Sequence, residues 1–485
     1  MLIEKIFEQA RSTPLKTAYV HNGLACSYAG FARRVADAHD ELARLALPAG
    51  SVAVLCVDHL AQAWVLGMAL RRLGLVTVSA ASAEQIGALG LANIGCVVTV
   101  GTQEHGGLET PAAGASWRRV VARVAGDSDA PAGPVPELPA AVHAEAGHML
   151  LTSGTTGEQK KVLRDAHAEV GTLDLHARIN DITPDSMVYV RDFPLSTAGG
   201  YRWPLMTWSQ GATVVFQQGH DFDRPYRLPG LSHAFATPAT LGFLLHAAAA
   251  DWRRNDGLRL LVTGGAMTRA MATAARQLLT RQVYTVLAST EALTLGVTPL
   301  EDLDDLPWHR IHPLREVQVV DDAGRALPPG RIGLVRARVL DGLSGYVGDE
   351  AASLRFFRDG FFYSGDLGTF GPDGRLRLSG RVTDVINVMG HKMAPDPIER
   401  DLQERLAVDA VCLLSLPGPD GCDDVHVVIE SRRDITHAEL EQLAQGPLRQ
   451  FGRLHFRVVA ALPRNAMGKV QRLLVRQQLQ DATGD

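Results

Sequence analysis

Cysteine is scarce: among 485 residues there are five, Cys26, Cys56, Cys96, Cys412 and Cys422. The number is odd, the positions are scattered and none forms a CxxC pair, which argues against a disulfide framework and a structural zinc site. A reducing, cytoplasmic setting is expected. An excess of one charge is also missing. Lys and Arg number 48 against 53 Asp and Glu, a net charge of −5, so there is no global basic field to hold nucleic acid. Long hydrophobic runs are lacking too. The longest uncharged stretch, 85–103, is broken by glycines and Asn93 and ends in the strand-like GCVVTV, so no membrane span is expected. The opening MLIEKIFEQARSTP carries acids early and has no apolar centre, unlike a secretory signal.

What remains is a globular composition, 46 % hydrophobic and 21 % charged. One core rarely grows past about 250–300 residues, so two or three domains are expected. SVAVLCV (51–57), LVTVSA (75–80) and GCVVTV (95–100) read as buried strands separated by helical stretches, the pattern of a parallel, doubly wound sheet. Residues 102–146, rich in Ala, Gly and Pro, read as a surface connection. The alternation resumes with strands at 148–152, 188–195, 212–218, 231–237, 258–265 and 282–288. Past Pro307, period-2 runs around the turn signals DDAG, PPG and GPDG predict a small antiparallel sheet or barrel. A separate block with its own strands follows Arg381. The expected fold is α/β: a large N-terminal domain, 1–381, of doubly wound sheets plus a small β-barrel, then a small α+β domain, 382–485.

LLTSGTTGEQKKV (150–162) is the most informative stretch. A strand leads into Thr152, Ser153, Gly154, Thr155, Thr156 and Gly157, followed by Lys160. Small residues let backbone N–H groups approach an anion, hydroxyls add donors and a lysine adds charge. The spacing does not fit GxxxxGK[ST], so this is not a Walker A loop. The alternative is a polar turn with incidental lysines.

Further motifs follow in order: Thr263-Gly264-Gly265-Ala266, Ser289-Thr290-Glu291, Tyr363-Ser364-Gly365-Asp366, Gly380-Arg381-Val382-Thr383-Asp384 and Pro463…Gly468-Lys469-Val470-Gln471-Arg472. Together with TSGTTGxxK they resemble the signatures of the adenylate-forming superfamily: acyl-CoA synthetases, adenylation domains and luciferases. The resemblance spans nearly the whole chain. It implies that a carboxylate attacks the α-phosphorus of ATP, giving an acyl-adenylate and pyrophosphate, and that a thiol then displaces AMP. Two anions must meet, so positive charge and Mg²⁺ must screen them.

By this resemblance Lys469 is the catalytic cation, delivered by a mobile C-terminal lid that pivots at Thr383 and Asp384. Glu291 holds Mg²⁺ and Thr290 bonds a phosphate oxygen. Asp366 accepts the ribose hydroxyls, with Arg381 beside it. Gly264, Gly265, Ala266, Leu287, Ala288 and Ser289 line the nucleotide site. Each has a plainer alternative: Lys469 a solvated lysine, Glu291 a helix N-terminal acid, Asp366 a turn residue and Arg381 a hairpin-end arginine.

The chain departs from the family pattern in places. Gln159 replaces a proline, Leu287-Ala288 replace Tyr-Gly, and Thr197 replaces a histidine common in acyl-CoA ligases. These losses keep a nucleotide-binding pseudoenzyme open. By the same resemblance the acyl pocket falls on 194–218, which holds no Asp or Glu to receive an α-ammonium. Thr197, Gly200, Tyr201, Arg202 and Trp203 are the expected lining. They suit an aryl or acyl acid, although they also suit plain core packing, with Arg202 a solvated helix residue. The acceptor is coenzyme A or the phosphopantetheine of a separate acyl carrier protein.

Overall fold

The computed structural model describes residues 2–101, 107–109, 117–124, 134–141, 143–153, 159–191, 193–219, 221–247, 252–384, 386–388, 391–393, 395–417, 423–446, 448–451, 453–464 and 468–481. Two large sheets dominate. The first has eight strands in the order Leu293–Pro299, Val283–Ser289, Arg259–Thr263, His233–Ala236, Met187–Val190, Thr213–Phe216, Thr17–His21, Leu24–Ser27. Its six central strands are parallel, and an antiparallel partner closes each edge. The second has seven strands in the order Gly107–Glu109, Arg118–Ala122, Ile94–Val100, Val52–Leu55, Val76–Ser79, His148–Ser153, Gln159–Arg164, and its five central strands are parallel. Every strand expected in these sheets from the sequence is present, most with shifted or shorter bounds. The stretch 102–146 is a correction: within it, Gly107–Glu109 and Arg118–Ala122 join the second sheet.

Helices Tyr28–Ala43, Leu60–Arg72 and Ala198–Ser209 belong to one core cluster that takes in residues of both sheets. The last is covered on both sides: every residue of Ala198–Ser209 except Ala198 is buried. The antiparallel sheet expected past Pro307 forms from Trp308–His309, Leu376–Arg381, Phe361–Phe370, Gly333–Arg338 and Val317–Val320. The smaller C-terminal part has its own sheet, Ala410–Pro417, Asp423–Glu430 and Leu454–Val459, packed on helices Asp396–Leu406 and Arg472–Asp481 around separate cores. Among the described residues no helix is long and apolar enough to cross a membrane. Cys26, Cys56, Cys96 and Cys412 are free thiols.

Candidate active site

In open parallel sheets, ligands bind beyond the carboxyl ends of the strands. Three neighbouring strands of the first sheet end here, two of them at motif residues. His233–Ala236 leads to Thr237, Arg259–Thr263 to Gly264-Gly265-Ala266, and Val283–Ser289 to Thr290-Glu291. Gly264 has φ 82°, the left-handed region that favours glycine. Thr263 Oγ1 donates to the Val286 carbonyl at 3.1 Å and ties two of these strand ends together. Gly265, Ala266 and Ala288 are exposed, whereas Leu287 is partly buried and packs towards the barrel.

Glu291 does not start a helix, so that alternative is corrected. It lies in the tight turn between Val283–Ser289 and Leu293–Pro299, where Ser289 Oγ accepts from Ala292 N at 2.9 Å. The residue is only 8 % exposed, and Oε1 accepts from the Tyr346 hydroxyl at 2.7 Å. Arg164 donates to the backbone carbonyls of Thr290 and Glu291, the latter at 3.1 Å. Tyr346 and Arg164 were not among the residues singled out from the sequence. A signal existed for Arg164: in Gln159–Arg164 it shares a face with the buried Val162.

The phosphate-loop motif falls on two antiparallel strands, His148–Ser153 against Gln159–Arg164, with Thr152 paired to Lys160 and Ser153 to Gln159. Gly154, Thr155, Thr156 and Gly157 lie outside the described residues. Lys160 Nζ lies 3.9 Å from the Phe356 ring centroid and 5.2 Å from that of Tyr346, close enough for cation–π attraction. Partial burial lowers its pKa, and Glu291 and Asp349 oppose that shift.

Asp366 sits on a bulge. Leu334 pairs with Leu367 and Arg336 with Tyr363, so Val335 alone faces Ser364, Gly365 and Asp366. Gly365 takes φ 77° there. The carboxylate is thereby presented across the sheet to Arg381, Nε to Oδ1 3.1 Å, on the paired strand. Val382–Asp384 follows as a short 3₁₀ turn, and Asp384 lies 3.7 Å from Arg472 Nε.

Lys469 enters this constellation from the C-terminal part. Gly468, at φ 76°, seats against the start of helix Pro238–Ala247: an added Cβ would stand 2.6 Å from Ala239 Cβ. Arg464 holds the tip through Glu430, 2.7 Å, and the Gly468 carbonyl, 2.9 Å. Lys469 is exposed over part of its surface, yet protein crowds the charged end of its side chain. That crowding lowers its pKa. Arg381 lowers it further, while Asp366, Asp396 and Glu291 pull it back up.

The acyl end differs from expectation. Arg202 is neither solvated nor turned to a ligand. It is buried, with Nη1 on Glu169 at 3.2 Å and Nη2 on Thr172 Oγ1 and His176 Nδ1 at 3.0 and 3.1 Å. The Tyr201 hydroxyl donates to Glu169 at 3.0 Å and accepts from Arg71. Both side chains therefore belong to a core ion cluster, which corrects their place in the pocket. Gly200 is required by packing, since a Cβ would meet the Pro194 carbonyl oxygen at 2.2 Å. Trp203 is buried and stacked on Phe235 at 3.6 Å. Thr197 caps its helix, accepting from Gly200 N at 3.1 Å.

Residues 6–347 match the family model described as "AMP-binding enzyme". The chain belongs to this adenylate-forming family. Feruloyl-CoA synthase of Amycolatopsis sp. is 29 % identical over 440 residues, 85 % of this chain and 84 % of that protein. A salicyl-AMP ligase/salicyl-S-ArCP synthetase of Mycobacterium tuberculosis is 29 % identical over 402 residues, 76 % of this chain and 66 % of its own length. In fold, the chain is similar to ATP-bound MatB from Rhodopseudomonas palustris, with TM-score 0.82, 21 % identity and 99 % of each chain covered.

Proposed function

We propose that this AMP-binding enzyme is an ATP-dependent carboxylic acid–thiol ligase, acting on an aryl or acyl acid with coenzyme A as acceptor. One observation carries the reading: the Gly468-Lys469 tip is seated where Asp366, Arg381 and Glu291 converge. A carboxylate oxygen attacks the α-phosphorus of ATP. The bond to the β-phosphate oxygen breaks and its electron pair leaves with pyrophosphate. Lys469 offsets the repulsion between the two anions, Asp366 and Arg381 hold the ribose, and Lys160 lies towards the phosphates. Magnesium arriving with ATP would add screening of phosphate charge. The donor set fits such an ion, because Mg²⁺ takes one or two carboxylates plus substrate phosphates and Glu291 supplies one. Among the described residues no cluster of three His, Cys, Asp or Glu would hold a metal without the nucleotide.

In the second step the thiol sulfur attacks the acyl carbon, its proton is lost to solvent, and AMP leaves with the carbonyl–oxygen bond pair. Residues 382–485 are the lid for this exchange of poses and Thr383 and Asp384 its hinge. The two aryl-acid relatives support an aryl acid over an α-amino acid. The salicyl relative supports a carrier-protein arm as the alternative acceptor. Pyrophosphate exchange with ferulate, salicylate, fatty acids and amino acids tests the first step. CoA and holo-carrier protein offered in parallel test the second. ATP binding without exchange for any acid would instead identify a nucleotide-binding pseudoenzyme.

A further inference from the structure

Behind Glu291, at the junction of both large sheets and the barrel, lie three buried charged groups that the proposed chemistry does not use. Arg164 ends the strand after the phosphate loop, Arg315 precedes Val317–Val320, and Asp341 follows Gly333–Arg338. Arg164 pairs with Asp341, and the two side chains are 1 % and 4 % exposed. Arg164 donates to the carbonyls of Thr290 and Glu291. Arg315 donates to the next carbonyl, that of Ala292, at 2.6 Å, and to Arg338 O at 3.2 Å. Three consecutive carbonyls of one turn thus face two guanidiniums. The turn is strained as well: the next residue, the buried Leu293, has φ 64°, uncommon outside glycine.

The arrangement is costly. Arg164 Nε, Arg315 Nε and Nη1, and Asp341 Oδ1 are buried with no hydrogen-bond partner among the described residues. Each such atom forfeits hydration that a simple apolar core would not lose. From the front, the Tyr346 hydroxyl holds Glu291 Oε1 while the Tyr346 ring lies beside Lys160.

We infer that Arg164, Asp341 and Arg315 form a brace that fixes the backbone of the Thr290–Ala292 turn, and that Tyr346 sets the Glu291 carboxylate, together presenting it to the metal–nucleotide. These four are positioning residues, acting through Glu291. The inference rests on the proposed metal role of Glu291.

The test uses the full chain and Mn²⁺ as probe, with ATP, read by electron paramagnetic resonance without any acid present. Glu291→Gln is expected to weaken Mn²⁺–ATP binding about tenfold, the scale of one lost charged contact. Tyr346→Phe, Arg315→Lys and Asp341→Asn are expected to weaken it about three- to tenfold while leaving metal-free ATP binding unchanged. In a Glu291→Gln background their further effect should vanish. Equal effects in both backgrounds, or an equal loss of metal-free ATP binding, would overturn the inference. So would Mn²⁺–ATP binding that ignores Glu291. If a buried-arginine variant does not fold, Asp341→Asn decides the brace and Tyr346→Phe, which removes only a hydroxyl, decides the carboxylate contact. Glu291-dependent Mn²⁺–ATP binding with no pyrophosphate exchange would sink the ligase reading and leave the brace standing.

Discussion

The nucleotide end and the acyl end of the site are built from the same kinds of residue, used in opposite ways. At the candidate nucleotide end Asp366, Arg381, Glu291 and Lys160 stand on a bulge, a paired strand, a tight turn and a hairpin, with Asp366 paired to Arg381 and both Glu291 and Arg381 within electrostatic reach of Lys160. At the acyl end Tyr201 and Arg202 stand on a helix sandwiched between two sheets, and Glu169, Arg71 and His176 take their polar atoms. Charge at the turns is held ready for a ligand, whereas charge on the enclosed helix neutralises the core.

That contrast can be broken or sharpened by substitution. The largest effect is expected on stability. Arg202→Met leaves Glu169 short of a buried partner and should cost about 3–5 kcal/mol in denaturant unfolding, with the acid KM unchanged. A raised acid KM at full stability would return Arg202 to the pocket. Next, Asp366→Ala should raise the ATP KM about ten- to a hundredfold, as losing charged hydrogen bonds to ribose implies. An unchanged value would reduce Asp366 to a bulge residue. Gly468→Ala should then slow adenylation about tenfold, because the methyl group meets Ala239 and holds the tip out of its seat. Normal adenylation would show that the tip works from elsewhere.

The smallest effect is a shift in pH. The ammonium form of Lys469 is the useful one, and its pKa is lowered from 10.5, first by burial and then by Arg381. Adenylation should therefore fall as pH rises through a value below 10.5. An alkaline limb at or above the ordinary lysine value would place the group in open water.

How much of this was legible in the sequence follows the same contrast. Strand and helix alternation gave the two wound sheets, because buried parallel strands must be apolar runs. The linear motifs pointed to Asp366, Arg381, Glu291 and Lys469, and the fold brings these four within electrostatic reach of one another. The 194–218 stretch was opaque. An aromatic, acid-free helix reads alike whether it walls a pocket or is packed on both faces, and only tertiary burial separates the two. Arg118–Ala122 was hidden in an Ala/Gly/Pro-rich stretch whose composition masked a strand paired on both sides within the second sheet. Arg164, Arg315 and Asp341 were invisible singly, since nothing local tells a buried arginine from a solvated one until the turn it supports is in place.

The most direct test of the central claim compares two half-reactions of Lys469→Ala. Pyrophosphate exchange is measured with the best acid from the panel, and thioester formation is measured from the synthetic acyl-adenylate of the same acid. The account predicts that exchange falls about a hundred- to a thousandfold while transfer from the preformed adenylate stays within a few-fold of wild type. Equal loss of both, or normal exchange, would contradict it.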